Sequence, residues 1–317
     1  MEPCLPARFA AADLAALAAE AGDDAAAVAG NLGFADWAAL AREVGRRDTL
    51  NRRDTAEVEQ MLAADPSLAR EQMVHWCDHA EVSPLSYIAM LGFDHARLGL
   101  PAGLTGTGPV ARALIAAGAL VDGDPHEPET PLITAASYGD AEVAAALIEA
   151  GADVDRCASP TSGGVPGGSA LLHAAVFGMT DVLDLLVAAG AQVRTLVEGA
   201  AAGAIAPWPL ERQGERERLL ALIMAAVHER LDVIDALLDA GTPIDAVDPE
   251  WHRQALRAAA EHGRPASVRL LLARGADPRL RDADGRSALD MASPAHRYPV
   301  GPGHAETEAI LRAATTQ

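Results

Sequence analysis

Lysine is absent from the 317-residue chain, and all 25 of its basic residues are arginines. This absence excludes mechanisms that depend on a lysine, such as the phosphate lysine of P-loop enzymes and the Schiff-base lysine of pyridoxal enzymes. We find no G-x-G-x-x-G or G-x-S-x-G pattern and no recognisable catalytic carboxylate pair. The sequence therefore predicts no cofactor and assigns no catalytic residue.

Aromatic residues and cysteines are also scarce. Only 3% of the chain is aromatic, so alanine, leucine and valine must build the core, which suits closely packed helices. The three cysteines, Cys4, Cys77 and Cys157, are odd in number and scattered, which is not the pattern of a disulfide framework. A reducing compartment is therefore expected.

Long apolar runs and positive charge are missing as well. Asp13 and Glu20 interrupt the Ala-rich N-terminus, so we expect no signal peptide and no membrane span. The formal net charge of -20 disfavours nucleic acids and anionic membranes as partners and favours neutral or basic ones. These features predict an acidic cytoplasmic protein of bacterial type.

An internal repeat organises most of the chain. The phrase "ALIAAGALVDGD" recurs in four further copies, among them "ALIEAGADVDRC" and "LLLARGADPRLR", and the glycines of the five copies are separated by 33, 39, 51 and 34 residues. A second phrase precedes these glycines, as in "TPLITAASYGD" and "SALLHAAVFGM". Thr130 can cap a helix, Pro131 fits its first turn, and Gly139 can end it in a left-handed turn.

These phrases resemble the ankyrin repeat, a helix pair of about 33 residues. The resemblance implies an all-α ankyrin-repeat solenoid of about seven units with degenerate terminal units. Second helices are expected near residues 54–63, 108–117, 141–150, 180–189, 231–240, 265–274 and 305–314. The histidine of the Thr-Pro-Leu-His signature is missing in every copy, so apolar packing must replace its hydrogen bonds.

The expected organisation is a helical N-terminal cap over residues 1–46, followed by the repeat array over residues 47–317. Four stretches exceed the repeat and are predicted insertions, at residues 92–108, 156–168, 194–216 and 293–303. Long loops in a compact array are often functional or mobile. Trp208, framed by prolines in the third insertion, is either an exposed binding aromatic or a cover over the helix stack, and the cover is favoured slightly.

The stretch "VHWCDHAEV", residues 74–82, has the densest group of potentially reactive side chains. It precedes the capped helix at Ser83 and should form a projecting turn. An extended backbone would place His75, Cys77 and His79 on one side, a weak candidate for zinc, because strand side chains alternate. A polar recognition rim is favoured over metal binding, and it would comprise His75, Trp76, Asp78, His79 and Glu81.

Two further sets of residues are predicted to contact a partner. The first set lies on the first helix of each repeat. Tyr87 and His173 occupy equivalent positions in their repeats, and a second row, just before the turn that ends the helix, consists of Tyr138, Phe177, His228 and His262. The second is an aromatic and cationic spot on an acidic turn, with Trp251 and His252. In proteins of this family such positions commonly contact partners.

The resemblance implies a protein–protein interaction module that binds through its concave face and turn tips. The alternative is a small-molecule enzyme or ligand-binding protein with a site in the groove near the insertion at residues 92–108, lined by His75, His79, Tyr87 and His173. Acidic turns such as "DGDPHEPE", residues 122–129, are either solvated loops or an electrostatic rim that attracts a basic partner.

Overall fold

A computed structural model describes residues 25–76, 80–293 and 303–316. These residues form sixteen α-helices, two short 3₁₀ helices and one pair of strands. They divide into two compact units, residues 1–170 and 171–317. Helix pairs of the repeat type build both units, which confirms the predicted all-α ankyrin-like architecture.

The first unit begins with helices α1 (Ala25–Asn31), α2 (Trp37–Arg52) and α3 (Thr55–Ala64). After a 3₁₀ turn, strands β1 (Met73–Trp76) and β2 (Ala80–Val82) form an antiparallel pair. Four helices follow: α4 (Pro84–Leu98), α5 (Thr107–Ala116), α6 (Pro131–Tyr138) and α7 (Ala141–Glu149). Helix α4 packs on α6, and α5 packs on α3 and α7, so the first and second helices of successive repeats stack in separate layers.

The second unit starts within helix α8 (Ala170–Phe177). It continues through α9 (Thr180–Ala188), α10 (Leu196–Ala202), α11 (Glu215–Val227), α12 (Leu231–Asp239), α13 (Ala255–Glu261), α14 (Pro265–Ala273), α15 (Ala288–Ala292) and α16 (Gly303–Thr315). The first-helix layer stacks α10, α11, α13 and α15 in that order, and α14 packs on α12 and α16.

All seven expected second helices are present, as α3, α5, α7, α9, α12, α14 and α16. The predicted local chemistry also holds at the Thr130 copy. The Thr130 hydroxyl accepts from the Ile133 N–H at 3.1 Å, and Gly139 ends the helix with φ 79°. Alanines and leucines fill the core; Leu132, Ala135 and Ala136 are almost fully buried.

Two predicted insertions contain helix. Helix α4 continues past Gly92 to Leu98 and ends at Gly99, which has φ 69°, so residues 92–98 are not a loop. The region 194–216 holds the whole of α10, whose N-terminus is closed by a capping box between Thr195 and Glu198. Helix α10 packs on α11 like a repeat's first helix, but a 3₁₀ turn (Leu210–Arg212) and loop follow where a second helix would stand.

Candidate functional site

The densest chemical stretch of the sequence lies on the β1–β2 hairpin. Met73 pairs with Val82 and Trp76 with Ala80. Cys77, Asp78 and His79 lie outside the described residues, as do the side chains of His75 and Trp76, so the recognition and zinc hypotheses for them stay predictions. Glu81 is exposed. The part of the chain that the structure describes contains no group of three or more potential metal ligands.

A buried ion network fixes the base of this hairpin. Arg46 of α2 donates to the carbonyl oxygens of Glu71 at 2.7 Å and Gln72 at 3.0 Å. The Glu43 carboxylate pairs with both Arg46 and Arg47, and all three side chains are buried. Because buried charges are stable only when paired and hydrogen-bonded, this network holds the hairpin in a defined place on α2.

Hydrogen bonds join the successive turns of the first unit. The Gln72 amide donates to Glu127 Oε1, which connects the hairpin to the next turn. The Asp153 N–H donates to Asp122 Oδ1 at 3.0 Å, and the Ser162 hydroxyl donates to Glu129. Three consecutive turns therefore form one cross-linked edge, which we call the turn edge and which comprises residues 72–76, 80–82, 119–130 and 152–169.

A cavity of about 170 Å³ opens on the turn edge. Its wall includes four half-buried carboxylates, together with Arg156 and the exposed thiol of Cys157. The carboxylates belong to Asp122, Asp124, Glu127 and Glu129.

These four carboxylates bond to neutral donors, and no arginine or histidine of the described ranges forms a salt bridge with them. Burial raises the pKa of Glu127, the Gln72 hydrogen bond opposes that shift, and the nearby charge of Asp124 adds to it. The cavity wall therefore carries net negative charge, and its one cation, Arg156, forms no salt bridge with these carboxylates.

Three predicted partner-binding residues are buried, which is a correction. Tyr87 is fully buried, and its hydroxyl lies 2.7 Å from Asn51 Oδ1. His173 is 0% exposed and His228 is 2% exposed. The repeat phrase alone does not show which way these side chains point. All three point into the packing between helices, so none offers a surface to a partner. The groove site proposed for an enzyme loses Tyr87 and His173 for the same reason.

His228 has a structural role within the second unit. Its Nε2 lies 2.9 Å from the Ala175 carbonyl oxygen, and its Nδ1 lies 2.9 Å from the Thr180 hydroxyl. A carbonyl can only accept, so Nε2 carries the proton and Nδ1 accepts from Thr180. Burial lowers the pKa of His228 to about 3, although the hydrogen bond to Ala175 opposes this shift. The imidazole is therefore a neutral connector between repeats.

The other members of the predicted aromatic row are partly exposed. The Tyr138 ring packs against the Phe93 ring at an interplanar angle of 54°, with ring centroids 5.0 Å apart, and Phe93 comes from the helical extension of α4. Phe177 lies 6.1 Å from the His173 ring. His262 packs over Gly178. Their partner-binding role stays a prediction.

Trp251 and His252 are the exposed predicted residues of the second unit. Trp251 is 39% exposed, and its backbone N–H donates to Asp248 Oδ1 at 2.7 Å. The buried Asp248 side chain pairs with Arg216, which also pairs with Glu250. His252 adopts a left-handed φ of 53°, which is uncommon for a residue other than glycine.

Trp208 packs against α10. A Cβ at Gly199 would lie 2.5 Å from Cζ3 of Trp208, so the indole needs the glycine at this position. The contact supports the predicted role of Trp208 as a cover over the helix stack.

Sequence reasoning missed the hydrogen bonds that join the turns. Each of them joins residues of different repeats, and the pattern of a single repeat carries no signal for them.

Comparisons with known proteins agree with this architecture. Family models described as ankyrin repeats match residues 102–196, and residues 222–272 and 256–299. Together these matches cover more than half of the 317 residues. The chain belongs to the ankyrin-repeat family.

Individual relatives match only in part. Palmitoyltransferase Hip14 from Drosophila melanogaster is 38% identical over 101 residues, which are 32% of this chain and 15% of the relative. Human ankyrin repeat and SOCS box protein 11 is 36% identical over 73 residues, 23% of this chain and 22% of the relative. The chain thus spans less than a quarter of the length of these two relatives.

Among solved structures, the human ASB11 ankyrin repeat domain is similar with a TM-score of 0.33 and 24% identity. The alignment covers 72% of this chain and 98% of that domain. Within the described ranges no helix has the length and apolar character needed to cross a membrane.

Proposed function

We propose that this protein is a binding module that recognises a neutral or basic protein partner through the turn edge. The observation that carries the proposal is the cavity of about 170 Å³ with four carboxylates on its wall and, among the described residues, no cation paired to them. Such a site attracts a guanidinium or ammonium group, because an incoming cation would supply the missing counter-charge. The net charge of -20 favours the same class of partner.

The cross-links of the turn edge support this proposal in a second way. Hydrogen bonds from Gln72, Asp153 and Ser162 hold the carboxylates before a partner arrives. Binding then costs less conformational entropy than it would with free loops. The hairpin at one end of the turn edge and the exposed Trp251 turn of the second unit are the further surfaces that we assign to partner contact.

Palmitoyl transfer, the activity for which Hip14 is named, is not carried over to this chain. The similarity is confined to 101 residues, which are 15% of that relative. The small-molecule alternative loses support because Tyr87 and His173 are buried.

The proposal is tested by selecting peptides from a displayed random library against the purified chain. We expect the selected peptides to be rich in arginine and lysine and to lose affinity as salt rises. The double variant Asp124→Asn with Glu129→Gln keeps both hydrogen-bond acceptors and removes two charges. It should bind the selected peptides about tenfold more weakly, which corresponds to about 1.4 kcal/mol.

A matched control removes two exposed charges elsewhere. Glu59→Gln on α3 and Asp232→Asn on α12 change net charge equally but lie outside the turn edge. If the selected peptides are not basic, or if both double variants weaken binding equally, the cavity is not the recognition site.

A further inference from the structure

The segment between α4 and α5 is longer than a repeat requires, and both neighbouring repeats hold its end. Residues 99–106 lead into α5. The Arg53 guanidinium, from the end of α2, donates to the Thr105 carbonyl oxygen at 3.0 Å. On the other side the segment meets the N-terminus of α7. We call residues 99–106 the inserted segment.

Two carboxylates of α7 and its cap fix this second side. Glu142 Oε2 accepts from the N–H groups of Gly106 and Gly108, each at 3.0 Å. The Thr107 hydroxyl lies 3.0 Å from Asp140 Oδ1 and 3.4 Å from Glu142 Oε2. The contact is close, since a Cβ at Gly108 would lie 3.1 Å from Glu142. The whole junction depends on these two acidic side chains.

The junction brings two carboxylates together without a salt-bridge partner among the described residues. Thr107 is 2% exposed and has a single hydroxyl proton for two carboxylates. Asp140 also accepts from the Val143 N–H at 2.9 Å as the helix cap. The described charged groups nearby are Glu142 on the same helix, Arg53, which bonds a carbonyl, and Arg112, which is paired with Glu149. None of these cations pairs with Asp140.

We propose that protonation of Asp140 tightens the attachment of the inserted segment to the following repeat. A neutral Asp140 no longer repels Glu142, and its Oδ1 still accepts from Thr107 and Val143. The Glu142 bonds to Gly106 and Gly108 are then kept at lower electrostatic cost. The inserted segment is therefore held more firmly in mildly acidic than in neutral solution.

Asp140 changes its charge between neutral and mildly acidic pH. Burial raises its pKa to about 6, the hydrogen bonds from Val143 and Thr107 oppose the shift, and the charge of Glu142 adds to it. The closed junction thus binds the proton more tightly than an open one, whose Asp140 has an ordinary pKa. The closed form gains stability as pH falls through about 6, and the gain is complete below the ordinary pKa of about 4.

The test is amide hydrogen exchange of Gly106 and Gly108, followed by NMR at about pH 7.5 and pH 5 and corrected for intrinsic rates. In the wild-type chain we expect about tenfold greater protection at the lower pH. The factor follows from an Asp140 pKa of about 6 in the closed junction and about 4 in the open one. Asp140→Asn keeps the cap acceptor and removes the charge. It should show high protection at both pH values and no pH response.

Glu59→Gln on α3 is the control, because Glu59 is exposed and lies outside the junction. It should respond to pH like the wild type. Loss of protection at the lower pH in the wild type, or a pH response in Asp140→Asn equal to that of the wild type, would overturn the proposal. Circular dichroism of each variant confirms that the comparison is made between folded chains.

Discussion

Gly178 lies directly against the imidazole of His262: a Cβ at Gly178 would be 2.3 Å from Nδ1. Gly178 also has φ 74°, the left-handed conformation that ends a first helix. The same arrangement recurs in this unit, where a Cβ at Gly263 would lie 2.4 Å from Nδ1 of His304. A turn glycine covered by an imidazole is thus a repeated contact of the second unit.

Gly178→Ala should destabilise the second unit by about 3 kcal/mol. About 1 kcal/mol comes from the left-handed backbone, and the rest comes from displacing the His262 ring. Gly241→Ala is the matched control, since Gly241 has φ 82° and open space around it. It should cost only about 1 kcal/mol. Urea unfolding measures both, and equal losses would show that the His262 contact contributes nothing.

His228 should make the second unit sensitive to acid. Burial lowers the pKa of His228 to about 3, so the folded state favours the neutral imidazole over the charged one. The unfolded chain takes up the proton below its ordinary pKa of about 6.5, and stability is lost progressively as pH falls from there towards 3. Each pH unit within this window removes at most about 1.4 kcal/mol.

His228→Gln removes this titration while retaining a polar side chain. Its stability at neutral pH should be lower, because the Ala175 and Thr180 contacts are disturbed, but its dependence on pH should be weaker. Urea unfolding at several pH values gives the two slopes. A variant slope equal to that of the wild type between pH 6.5 and 4 would assign the acid sensitivity to other groups.

Trp208 and Trp251 should differ in what they contribute to folding. Trp208 packs on Gly199, so Trp208→Ala should cost about 3 kcal/mol in unfolding free energy. Trp251 is 39% exposed, and Trp251→Ala should cost less than about 1 kcal/mol while weakening partner binding. Thermal or urea unfolding of the two variants measures the loss of unfolding free energy in each. Similar losses in both would contradict the structural role given to Trp208.

Local sequence signals predicted the repeat well because each acts within one helix pair. The Thr130 cap, the Gly139 turn and the second helices depend on neighbours a few residues away, and all are present. The insertion predicted at residues 92–108 begins inside α4, since a glycine can continue a helix when the following residues favour it. Gly99 ends the helix instead.

The candidate site was less predictable because it depends on contacts between repeats. Tyr87 and His228 stand at positions that commonly face a partner, yet hydrogen bonds to Asn51 and Ala175 draw them into the interior. The acidic phrase at residues 122–129 was visible, but not the cavity behind it. Three of its carboxylates accept hydrogen bonds from Asp153, Ser162 and Gln72, all of which lie in other turns.

Arg46 and Arg42 offer a comparison of a buried and an exposed ion pair on one helix. Both lie on α2 and both contact Glu71, Arg46 through the carbonyl oxygen and Arg42 through the carboxylate. Arg46 is buried with Glu43, whereas the Arg42 side chain is 42% exposed. Arg46→Met should cost about 3–5 kcal/mol, because it leaves Glu43 short of a partner and two carbonyls without donors.

Arg42→Met should cost about 0–1 kcal/mol, as is usual for exposed pairs. The two variants carry the same charge change, so their difference isolates burial. Arg46→Met should also raise hydrogen exchange in β1 and β2, since it releases the base of the hairpin, whereas Arg42→Met should not. Equal stability of the two variants, or unchanged exchange in the hairpin of Arg46→Met, would mean that Arg46 does not position the hairpin.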